Sequence, residues 1–111
     1  MRSFDQAWNE IVDYVTTRSH VVTLVQEIEN RVRYNKTTDA IVVESDVPNT
    51  IEKADFERVW KELESTGHLS RENTREAMGK YRASIVLALL VGALDLQYDT
   101  NPVTVYPPAS R

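Results

Sequence analysis

A small α+β domain is the fold class that the sequence predicts, and three observations carry it. Two amphipathic helical stripes enclose a stretch of period-two alternation, the run Ile85–Val91 is wholly apolar, and 111 residues is the length of one domain. The expected architecture is a helical domain with a two- to three-stranded antiparallel sheet, winged-helix-like in its inventory, spanning residues 1–106. Residues 107–111, Pro-Pro-Ala-Ser-Arg, read as a frayed tail or the start of a linker, because proline lacks the amide a ladder needs.

Each element has its own signal. Ser3 and Gln6 stand at capping-box spacing, and Phe4, Ala7, Trp8, Ile11, Val12 and Val15 fall on one stripe, predicting a helix over about 4–17. Val21, Val22, Leu24 and Val25 suggest a second short helix or an irregular apolar turn. From Ile28 the period becomes two, with Ile28, Val32 and Tyr34 on one side and Glu29, Arg31 and Arg33 on the other. Asn35–Asp39 is a polar turn, and Ala40–Glu44 returns as a more buried strand, completing a hairpin. Pro48-Asn49 ends that pattern. Phe56, Val59, Trp60 and Leu63 at i, i+3, i+4 and i+7 predict a helix that begins within 50–54 and stops at Gly67. Ser70 caps a short helix over 71–76, and after Gly79 the chain restarts as a buried helix over roughly 82–94. Asp99–Pro102 is a turn, and Val103–Tyr106 alternates as a strand expected to join the hairpin.

Composition narrows function by exclusion. With no cysteine the chain has no disulfide, catalytic thiolate or cysteine-based zinc site, and a reducing cytoplasm is the expected setting. The N-terminus has no apolar h-region, and the run at 85–91 is far shorter than the roughly 20 residues of a spanning helix. Thirteen basic against seventeen acidic residues give a net charge of −4, which argues against a surface that attracts polyanions everywhere. Any contact with nucleic acid is therefore local.

The candidate contacts are two basic clusters. Arg31, Arg33 and Lys36 have no acidic residue between Asn30 and Thr38, while Arg71 and Arg75 share a helix face, with Lys80 and Arg82 just beyond. Glu72 and Glu76 interleave with the second cluster. For all seven to act together, both clusters must converge on one face. Tyr34, beside Lys36, is the candidate for base stacking; Trp8 and Trp60 lie on apolar stripes and belong to the core. His20 and His68 have no partner at metal-ligand spacing, Ser84 lacks the glycines of a nucleophile elbow, and Glu57, Glu62 and Glu64 occupy a solvated helix face. Neither catalysis nor a cofactor is expected.

One resemblance rests on Asn30-Arg31-Val32, Ile41-Val42-Val43-Glu44-Ser45, Phe56-Glu57-Arg58-Val59-Trp60-Lys61-Glu62-Leu63 closing on Gly67-His68-Leu69, and Arg82-Ala83-Ser84-Ile85 leading into Leu87-Ala88-Leu89-Leu90. In these segments, across most of residues 19–106, the chain resembles the N-terminal head domain of McrA-like, modification-dependent HNH restriction endonucleases. The resemblance implies an accessory role beside DNA in a defence protein, with recognition of modified DNA and cleavage residing in other domains; Arg82 and Ser84 are its polar matches. The expected function is thus a non-catalytic module contacting DNA through the seven basic residues. The alternative is a protein-interaction or homodimerisation module, using the hairpin edge or the acidic first helix to bind another protein or domain of the same system.

Overall fold

The computed structural model describes residues 2–44, 49–80 and 82–108, and the elements within them alternate between helix and antiparallel strand. Helix α1 spans Phe4–Arg18, with the Ser3–Gln6 capping box formed and Ser19 closing it in the left-handed conformation. Instead of a second helix, His20–Val22 forms strand β1, whose β-branched residues pair with Glu29–Arg31 at the start of strand β2 (Glu29–Asn35). Strand β3 (Ala40–Glu44) returns beside β2, and strand β4 (Asn49–Glu52) adds to its other edge, giving the order β1-β2-β3-β4. Asn49 therefore opens a strand; Pro48 lies outside the described residues.

Helix α2 (Lys53–Thr66) ends at Gly67, which adopts φ 81°, and helix α3 (Arg71–Met78) follows the short strand β5 (Leu69–Ser70). Helix α4 spans Ala83–Leu94, and strands β6 (Gln97–Thr100) and β7 (Val103–Tyr106) close the chain. The last strand does not join the β2–β3 hairpin. It pairs with β6 and β5 in a separate sheet of order β5-β7-β6. The described residues therefore form four helices and two antiparallel sheets, four and three strands wide, against the two or three strands expected. The helix pair α2–α3 is present across Gly67, but the β2–β3 hairpin is the middle of a sheet and not a wing.

One core joins all of this. Helix α4 is buried nearly all round, with Val86, Leu87 and Leu89 fully inaccessible, and it packs against α1, α3 and β1. Full burial of each such side chain contributes about 1.5–3 kcal/mol, which makes α4 the central post. Val21, Val32, Ile41, Val43 and Ile51 present one face of the four-stranded sheet to it, together with Trp8, Phe56 and Trp60 from α1 and α2. No single described helix is long and apolar enough to cross a membrane.

Two polar locks fix the periphery. Asp39, at φ 52° in the β2–β3 turn, accepts hydrogen bonds on Oδ1 from Trp8 Nε1 at 3.0 Å and Tyr34 Oη at 2.5 Å. These hydrogen bonds, Tyr34's first, and the charge of Lys53 hold its carboxyl below the ordinary value of 3.8. Tyr34 is thereby engaged within the fold through its hydroxyl, and its ring and that of Trp8 form a T-shaped pair. The second lock is Asp55, 2 % exposed, which accepts from the Glu52 amide at 2.9 Å, from Lys80 Nζ at 2.6 Å and from Arg58. Arg58 also donates through Nε to the Ala77 carbonyl at 3.1 Å, so one carboxylate ties the start of α2 to the end of α3.

Candidate functional site

An open cavity of about 580 Å³ lies between the β1–β2 loop and the α3–α4 junction. Its first wall is residues 23–28. Thr23 closes that loop on itself: its hydroxyl accepts from the Ile28 amide at 2.9 Å, its amide donates to the Ile28 carbonyl at 3.0 Å, and its carbonyl accepts from Glu27 at 3.1 Å. Glu27 takes φ 54° to complete the turn. Leu24, Val25 and Ile28 consequently stand along the cleft, with Val25 52 % and Ile28 51 % exposed.

The opposite wall is cationic. Arg71 and Arg75 are one turn apart on α3, and Arg82 precedes α4, so two elements bring three arginines to the lining of one cavity. Arg82 is itself the N-cap of α4, at φ 89°, and neither a side-chain cap nor an acidic residue occupies that first turn. The Ile85 and Val86 amides both donate to the Arg82 carbonyl, which leaves those of Ala83 and Ser84 without helical acceptors, as the first amides of any helix are. Their partial positive charge adds to that of the arginines. Glu72 also lines the cleft and limits how much negative charge the site attracts.

The seven candidate residues are thus divided. Arg71, Arg75 and Arg82 come together, and the other four do not join them. Arg31 and Arg33 are exposed on the face of β2 opposite Val32; Arg33 Nε lies 3.2 Å from Glu44 Oε1, and Arg31 is paired in register with the same Glu44. Lys36 sits in the turn beyond β2, six residues from the cleft residue Asn30, or about 20 Å at strand rise. Lys80 is engaged by Asp55 and donates to the Thr50 carbonyl at 3.4 Å. The expected single basic face is therefore replaced by one compact cluster and a screened sheet surface.

The sequence reading missed the facing wall, namely Thr23 through Ile28 with Asn30. Its signal was present as apolar Val25 and Ile28 in a segment too short for a helix, but only pairing with β2 turns that segment into a loop over α3 and α4. Among the described residues no group of three His, Asp or Glu is placed to hold a metal ion. Comparison with known proteins finds no family model, curated protein or solved structure that matches this chain.

Proposed function

We propose that this chain is a non-catalytic accessory module that contacts nucleic acid through the Arg71–Arg75–Arg82 cleft. The convergence of those three arginines at the open end of α4 carries the reading. Guanidinium groups match phosphate oxygens in bidentate geometry, and backbone amides at a helix start add donors of the same sign. The head-domain resemblance supports placing the module in a restriction-type defence protein, and the cysteine-free composition is compatible with a cytoplasmic setting.

The footprint is small, which fixes the salt response. With at most three phosphates neutralised, the logarithmic salt slope is no steeper than about −2.7, so duplex affinity falls by no more than about 40-fold between about 50 and about 200 mM salt. A seven-residue footprint would give a loss of several thousand-fold under the same relation. Changing Arg71 and Arg82 together to Ala removes binding to a short duplex at low salt, whereas changing Arg31 and Arg33 leaves it. Equal losses from the two pairs, or no binding by the wild-type chain, refute this reading.

A protein-interaction role is the second reading. Val25 and Ile28, at 52 % and 51 % exposed, form an apolar edge of the cleft facing the arginines. A mass that rises with concentration, together with indifference to DNA, favours it.

A further inference from the structure

The charges lie inside a bounded cleft and not along a track. Successive charges on one strand of a duplex are about 3.4 Å apart along the axis, so a protein that follows a continuous backbone needs cations in a row. Here the row is missing: Arg33 is paired with Glu44, Lys80 with Asp55, and Glu72 stands within the cleft itself. The beginning of β2 and the loop before it carry the exposed Glu29 and Glu27. A phosphate in the cleft therefore has strong partners, and its neighbours along a chain have weak ones.

The rest of the cavity suits one compact body. Its volume, about 580 Å³, is in the range that encloses a single small ligand. The wall beside the arginines is aliphatic, from Leu24, Val25 and Ile28, with Asn30 beside them, and among the described residues no aromatic ring lines it. Grooves that hold a run of single-stranded bases use successive aromatic platforms, and the described lining supplies none.

We propose that the cleft holds the terminal phosphate monoester of a nucleic-acid strand, with the last nucleotide against the aliphatic wall. This rests on the nucleic-acid reading and narrows it from backbone contact to recognition of an end. A monoester presents three free oxygens and up to two negative charges, against two free oxygens and one charge for an internal diester. The guanidinium groups of Arg71 and Arg82 and the amides of Ala83 and Ser84 complement the monoester better.

The test is calorimetric titration of the full 111-residue chain with three oligothymidylates of one length, bearing a 5′-phosphate, a 3′-phosphate or hydroxyls at both ends, and with thymidine monophosphate as a fourth ligand. At least one phosphorylated end is expected to bind about tenfold tighter than the hydroxyl form, the scale of one additional charge-assisted contact. Arg71→Ala and Arg82→Ala abolish that preference, and Arg31→Ala with Arg33→Ala preserves it; circular dichroism confirms that each variant is folded. Equal affinity for all three oligonucleotides, still weakened by the cleft variants, overturns end recognition and leaves the nucleic-acid reading standing. Binding of the mononucleotide as tightly as the phosphorylated strand overturns the assignment to a strand end. If no oligonucleotide binds, both readings fall.

Discussion

Changing Asp55 to Ala removes a carboxylate that is 2 % exposed and takes hydrogen bonds from the Glu52 amide, Lys80 and Arg58. The backbone bond at the start of α2 is a capping interaction, typically about 1 kcal/mol. Lys80 and Arg58 are about a third and a half exposed, so both rehydrate once the carboxylate is gone. Each ion pair is therefore discounted to about 0.5–1 kcal/mol, the range of partly exposed pairs. The expected loss is about 2–3 kcal/mol. For 111 residues, unfolding entropy near 2.1 cal/mol/K per residue converts this to a fall in Tm of about 10 °C. Urea unfolding with a double-mutant cycle on Asp55→Ala and Lys80→Ala is the assay; Lys80→Ala should cost little once Asp55 is absent. A loss below about 0.5 kcal/mol, or full additivity of the two changes, refutes the assignment of Lys80 to the fold. Lys80→Ala alone should also leave nucleic-acid binding unchanged, because its charge is already engaged.

Other consequences are independent of that network. Thr74 is fully buried and its hydroxyl has no hydrogen-bond partner among the described residues, so Thr74→Val, which keeps the shape and removes the unmet group, should raise stability by about 1 kcal/mol in urea unfolding. Gly92 lies under the Tyr14 ring, where an added Cβ would come within 2.6 Å of the hydroxyl and 2.7 Å of the ring carbon bearing it. Gly92→Ala should therefore destabilise by about 1 kcal/mol despite alanine's better helix propensity, with Tyr14→Ala relieving the clash in a double-mutant cycle. Because the Asp39 carboxyl is held below 3.8 in the fold, its contribution is fully present above that value and is lost as pH falls through the lower folded value. Asp39→Asn tolerates the same left-handed backbone but does not titrate, so the stability gap between wild type and variant should narrow below pH 3.8.

Much of the fold was legible because its signals are local. The Ser3–Gln6 box, the polar turn at 35–39, the Phe56–Leu63 stripe, the left-handed stop at Gly67 and the Ser70 cap each act within a few residues. Elements defined by distant pairing were not legible. Strand β1 has three residues and exists through its ladder with β2, β5 has two, and β6 is exposed at every position, so none shows periodicity. The candidate site divided along the same line. Helical spacing placed Arg71 with Arg75 and set Arg82 beside them, whereas the pairing of Arg33 with Glu44 and of Lys80 with Asp55 depends on strand register and on α2 meeting α3. Charge alone could not show that Arg33 and Lys80 are engaged by the fold.

The most direct test of the cleft as the nucleic-acid contact is an amide chemical-shift titration of the labelled chain with a short duplex bearing 5′-phosphates at low salt. Shifts are expected to concentrate at Ala83, Ser84, Arg71 and residues 23–28, with Arg31, Arg33 and Lys36 unmoved. Shifts centred on Arg31 and Arg33, with the start of α4 silent, would contradict it.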